Sequence, residues 1–126
     1  MKTIDIKLNL TIDGSFSELI LPVESNMKLV DFFIALQLLL KKMSKEATTF
    51  DIYDTQFHRI AIIDEELELY IEEEYSSLNT VEDLHNVCID TIEVIALGNR
   101  PIRKVLQEEE MLKYALDNYD IEDEGI

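Results

Sequence analysis

Ile4, Ile6, Leu8, Leu10 and Ile12 alternate strictly with Asp5, Lys7, Asn9 and Thr11. Successive side chains of a strand point to opposite faces, so this period of two commits the start of the chain to a strand with one buried face. Asp13-Gly14 follows, a pair that accepts the left-handed backbone of a tight hairpin turn. Leu19, Leu21 and Val23 then resume the alternation, with Pro22 signalling an edge or a strand end. Residues 2–23 therefore read as a β-hairpin whose apolar face needs a covering layer.

The cover follows directly in the chain. Ser25 or Asn26 is placed to cap a helix from Met27 to about Lys42 or Met43. Its apolar residues, from Met27, Leu29 and Val30 through Phe32, Phe33 and Leu36 to Leu38, Leu39, Leu40 and Met43, exceed one stripe, and Lys28, Asp31, Ala35 and Lys42 mark a narrow polar side. One face is expected to pack on the sheet. The surplus face is expected to be covered by a C-terminal helix through Val105, Leu106, Leu112 and Leu116, by a second copy of the chain in a homodimer, or by a partner.

Further strands are expected at Thr49–Tyr53, at Arg59–Ile63 and at Ile89–Leu97, the last with Ile92 and Val94 opposite Glu93 and Ile95. Between them, residues 64–74 hold seven carboxylates around Leu67, Leu69 and Ile71, a pattern open to a strand or an irregular excursion. Thr80-Val81-Glu82-Asp83 has the reciprocal spacing of a capped helix start before Leu84 and Val87. Gly98-Asn99-Arg100-Pro101 is a breaker. Residues 1–98 thus form one α+β domain, and residues 99–126 a helical extension from about Arg103 to Tyr119, its stripe interrupted by Glu109, with an acidic tail expected to fray.

Composition limits function. Eleven basic against twenty-seven acidic side chains give the 126 residues a net charge of −16, which repels a phosphate backbone and argues against direct nucleic-acid binding. A protein partner with a basic surface fits better. The lone Cys88 forms no intramolecular disulfide, and the first ten residues alternate in place of an apolar signal core, so a reducing cytoplasm is the expected compartment. The apolar run Leu29–Leu40 is well short of a bilayer span, and no membrane insertion is expected.

Hairpin, long helix, strands, helical turn and last strand is an order that resembles the β-grasp, or ubiquitin-like, superfamily. Thr80-Val81-Glu82-Asp83-Leu84, with Val87, Asp90 and Thr91-Ile92-Glu93-Val94, is similar to that family's run into its final strand. Leu21-Pro22-Val23 through Lys28-Leu29-Val30-Asp31 resembles the YukD-like or EsaB-like bacterial proteins, accessories of type VII secretion systems. The departures are Leu84 for a Tyr, one extra residue before Val87, and Ile89 for a Gly. The resemblance implies a mixed sheet wrapped on one helix and a role in binding proteins. The final Asp123-Glu124-Gly125-Ile126 is not the Gly-Gly tail that conjugation requires.

No catalytic residue, cofactor or metal site is assigned. His85 and Cys88 have the spacing of half a metal site, with only His58 as a further soft ligand, and as a nucleophile pair they lack an orienting group. Asp120-x-Glu122-x-Glu124-Gly125 starts like a calcium loop and lacks its later ligands. The candidate partner-binding residues are Glu65, Glu66, Glu68, Glu72, Glu73 and Glu74, an acidic surface that would select a basic protein. The alternative is an acidic inhibitor or immunity protein that blocks the basic cleft of a toxin or nuclease.

Overall fold

The computed structural model describes residues 2–44 and 46–124. The hairpin forms as its alternation requires: β1 (Thr3–Ile12) pairs antiparallel with β2 (Ser15–Glu24), and Asp13 and Gly14 take positive φ angles of 51° and 78° in the turn. β6 (Thr91–Ala96) lies parallel beside β1 and antiparallel to β3 (Phe50–Tyr53). β4 (Arg59–Ile63) and β5 (Leu69–Ile71) complete a mixed six-stranded sheet in the order β2-β1-β6-β3-β4-β5.

One face of the sheet is covered by α1 (Leu29–Met43). Leu29, Phe32, Phe33, Leu36 and Leu40 pack on the inward residues of β1, on Ile92 and Val94 of β6, and on Phe50 and Ile52 of β3. Gln37, a polar break in the apolar run, is fully buried and donates from Nε2 to the Thr48 carbonyl at 3.2 Å. The cap is not where the sequence places it. Lys28 is the N-cap and offers no side-chain bond, and the chain leading into the helix is tied to residues 79–82: Val81 N donates to the Met27 carbonyl, Glu82 N to that of Ser25, and Leu29 N to that of Asn79, each at 2.9 Å. These bonds tie the start of α1 to α2 (Val81–Asn86), whose own capping box forms as read: Asp83 N donates to Thr80 Oγ1 at 3.3 Å and Thr80 N to Asp83 Oδ2 at 3.1 Å.

The undecided acidic segment resolves into a turn at 64–68, the short strand β5 and a single 3-10 turn at Glu73–Tyr75. Asp64 builds that turn. Only 3% exposed, it accepts from Glu66 N at 3.0 Å and Glu68 N at 3.2 Å on Oδ1, and from Ile102 N at 3.1 Å on Oδ2.

The last of these bonds anchors α3 (Ile102–Glu124), and it corrects the expected cover of the first helix. α3 does not pack on α1. Ile102 and Val105, with Leu106 beside them, close on Ile62 on the opposite face of the sheet, while Leu112 and Leu116 are exposed. The reason lies in β4, where Ile60, Ala61, Ile62 and Ile63 are all buried: a strand without a polar face needs a layer on each side. The surplus apolar face of α1 stays open at Val30, Leu38 and Met43. The backbone of α3 is helical through Glu124, and Gly125 and Ile126 at the end of the acidic tail lie outside the described residues. No helix among the described residues is long and apolar enough to cross a membrane.

Asp64→Ala leaves three amides without their acceptor, one of them buried, and removes the cap that starts α3. The expected cost is about 2–4 kcal/mol, read as a lower denaturant midpoint with α3 released from Ile62; a midpoint equal to wild type would refute this role.

Candidate partner interface

The sheet has two edges, and they differ. Ser25 N donates to the Lys2 carbonyl at 3.0 Å, which makes 2 with 25 and every second pair after it the hydrogen-bonded pairs of the hairpin. Pro22 faces Asp5 in one of the other pairs, so its missing N–H falls on the free edge of β2 and removes a donor that an added strand would use. β5 is the opposite edge, three residues long, pairing only with β4.

The predicted acidic residues gather around β5. Glu65, Glu66 and Glu68 precede it and Glu72, Glu73 and Glu74 follow it, so the two groups flank a strand about 10 Å long. They are not equivalent. Glu65 Oε1 stands 3.6 Å from Lys41 Nζ, and Glu72 Oε1 stands 3.9 Å from Arg59 Nη1, so these two are drawn into internal pairs. Glu66, Glu68, Glu73 and Glu74 are exposed and make no ion pair among the described residues. Leu67, at φ 63° between Glu66 and Glu68, and Tyr70 on β5 add exposed apolar surface to the same edge.

Beside this edge, under α3, lies a charged cluster that the sequence did not single out. Arg59 donates from Nη1 to Glu109 Oε2 at 2.8 Å and pairs through Nη2 with Glu109 Oε1, a bidentate grip between residues fifty apart in sequence. Its Nε lies 2.9 Å from Oδ1 of the buried Asp51 at an angle too poor for a hydrogen bond. Tyr53 completes the cluster, donating to Asp51 Oδ2 at 2.7 Å; burial and then Asp51 push its hydroxyl up to about 12. The bond from Arg59 holds the Glu109 carboxyl below the ordinary carboxylate range despite the opposing effect of burial. The same bond raises the guanidinium pKa, against burial and with help from Asp51. Glu109 was legible only as an interruption of the α3 stripe; its function is to latch that helix to β4.

At the far end of the β3–β4 hairpin, Asp54 accepts from Gln56 N and His58 N at 2.9 Å and from Tyr75 Oη at 3.2 Å. Burial alone would raise its pKa, but these donors and the His58 ring hold it below the usual value. Burial and the neighbouring Asp54 in turn push the Tyr75 hydroxyl up to about 12. His85 Nδ1 lies 2.5 Å from Asp90 Oδ1, and Cys88 is exposed in a left-handed residue at φ 64° after α2. No group of three His, Cys, Asp or Glu among the described residues is arranged to hold a metal ion. An apolar groove of about 350 Å³ runs between β2 and α1, lined by Leu21, Val23, Met27, Phe32, Leu36 and Leu39. Compared with protein-family models, curated proteins and solved structures, the chain matches none.

The latch sets a pH dependence with a definite sign. A carboxyl whose folded pKa is depressed contributes stability above its unfolded value, near 4.5 for Glu109, and that contribution is lost as pH falls through the folded value. Glu109→Gln is expected to lower stability by about 1 kcal/mol near neutral pH, solvent screening of this partly exposed pair included. The gap between wild type and variant should close on acidification below 4.5. Amide exchange at Ile62 against pH checks it, and a gap that persists at low pH would count against the latch.

Proposed function

We propose that this chain is a non-enzymatic, cytoplasmic protein-interaction module that receives a basic segment of a protein partner at its β5 edge. The observation that carries the reading is the position of Glu66, Glu68, Glu73 and Glu74, four exposed carboxylates without a cation partner that bracket an unpaired sheet edge. A low-dielectric wall with charge of one sign steers an oppositely charged partner and raises its rate of encounter. Leu67 and Tyr70 supply apolar surface at the centre, where affinity is made, and the glutamates form the rim.

The layout supports a finer reading. A mixed sheet with β1 and β6 parallel at its middle and one long helix across a face is compatible with the β-grasp arrangement that the sequence resembles. On that resemblance rests the proposal that the partner belongs to a bacterial type VII secretion system, with this chain as accessory or regulator. Inhibition of a basic nuclease or toxin by charge mimicry is less well served. Mimicry needs carboxylates spread over one face, whereas here they form two groups at the ends of a strand and Glu65 and Glu72 are engaged internally.

The test is a comparative pull-down from the native cells with tagged wild type and with the variant E66K/E68K/E73K/E74K. Recovery of secretion components or their helical-hairpin cargo by wild type, and their loss from the variant, is expected. With the captured partner purified, the variant should associate at least about tenfold more slowly at low salt and lose its salt dependence. Equal capture by both proteins would remove the β5 edge from the reading, and one basic toxin recovered in stoichiometric amount would favour the inhibitor.

A further inference from the structure

The first two turns of α3 are docked and the rest has nothing beneath it. Ile102, Val105 and Leu106 pack at Ile62, and Glu109 is the last residue held by the domain. The fifteen residues from 110 to 124 continue as helix for about 22 Å beyond that anchor. Met111, Leu112, Tyr114 and Leu116 on this projection are 64%, 61%, 71% and 56% exposed. An unsupported helix of this length is marginal in water, and its apolar side chains have no cover.

Met111, Leu112, Ala115 and Leu116 recur at i, i+1, i+4 and i+5 and so form one continuous apolar face, about a quarter turn round from the face that docks on β4. Charge then selects what covers it. The first turn of α3 carries Arg103 and Lys104 and no acid, while the chain from Asp117 on carries Asp120, Glu122, Asp123 and Glu124 and no base. This order opposes the helix dipole at both ends, which disfavours the helix standing alone. An antiparallel copy of the same helix reverses the sign of the effect. Its acidic last turns then lie beside Lys104, which shares the helix face of Met111 and Ala115, and the two dipoles run in opposite directions.

The middle does not object. Glu108 is paired with Arg100 and Glu109 with Arg59, so the acidic run 108–110 is largely neutralised within each chain. Repulsion between two bodies of net charge −16 is screened beyond about 8 Å at physiological salt, whereas adjacent helix ends are closer than that. The pattern is also self-complementary, as a twofold interface requires. With the axis near Tyr114, Leu112 meets the partner's Leu116 and Leu116 the partner's Leu112, and Lys104 falls opposite the acidic end.

We propose that the projecting half of α3 is a homodimerisation element, which pairs antiparallel with the same segment of a second copy through Met111, Leu112, Ala115 and Leu116. The two docking edges at β5 remain outside this interface, so the dimer would present two acidic sites to a partner.

Sedimentation of the full-length chain from about 1 to 200 μM tests the proposal, because an apolar strip of this size belongs to the lower end of specific interfaces and to micromolar association. Wild type is expected to reach dimer within that range. L112E/L116E, whose sites are exposed and whose fold can be checked by circular dichroism, should remain monomeric. K104E should weaken the dimer about tenfold, and adding E122K/D123K to K104E should restore it, which a merely structural role for either end would not do. A wild type that stays monomeric throughout overturns the proposal. So does a dimer that survives L112E/L116E but is lost on Leu38→Glu, since that outcome places the interface on the open face of α1.

Discussion

Six strands at the usual spacing make a sheet about 24 Å wide, whereas a helix with its side chains is about 10 Å across. That mismatch governs the whole structure. On the inner face the problem is solved by bulk, with Phe32, Phe33, Leu36 and Leu40 of α1 spread over strands that present only Ile, Leu, Val, Phe and Ala. On the outer face the strands are treated one by one. β1 presents Asp5, Lys7, Asn9 and Thr11 to solvent and needs no cover, and Asn9 Nδ2 donates across to Glu93 Oε1 on β6 at 2.9 Å. β4 presents Ile62 and does need it, and two turns of α3 suffice.

Holding those two turns requires polar anchors, because three apolar side chains over one isoleucine are a small contact. Asp64 fixes the start of α3 and Arg59 grips it two turns later, so the helix is held at both ends of the strand it covers. The cost is burial of charge. Asp51 is almost wholly inaccessible, and its approach to Arg59 Nε is close in distance but poor in angle. The full desolvation of such a pair costs several kcal/mol per ion, repaid only where further hydrogen bonds satisfy it. Tyr53 and Glu109 supply them, which makes the cluster a device for placing α3 more than a source of net stability.

What the sequence disclosed and what it hid divide along range of interaction. The hairpin is written in residues two apart and in Asp13-Gly14, and the capping box of α2 in Thr80 and Asp83; local rules read these correctly. Ser25 and Asn26 looked like caps for α1 by the same rules and were not, because the carbonyls of Ser25 and Met27 on either side of Asn26 accept from residues more than fifty positions later and set the path of the chain into the helix. Asp64 looked like one more surface acid among seven, and nothing local distinguishes it from Glu65; its distinction is the Ile102 amide thirty-eight residues away. One signal for the site of α3 was present. Ile60-Ala61-Ile62-Ile63 has no polar alternation, and a strand of that kind in an otherwise alternating sheet is a strand with two covers.

The acidic balance acquires structure once the cations are located. Lys2, Lys7, Lys41, Arg59 and Arg100 are all drawn into ion pairs within the chain, so much of the positive charge is already committed. Among the described residues Lys28 and Lys42 at the two ends of α1 make no ion pair, and neither do Arg103, Lys104 and Lys113 of α3, the one element that leaves the domain. A surface of such one-sided charge resists association with its own kind except where cations and anions can be interleaved. The β5 edge has no unpaired cation between its glutamates and is therefore suited to a basic partner. α3 carries both signs in opposite halves, so the same electrostatics that keeps the domains of two copies apart permits their projecting helices to meet antiparallel.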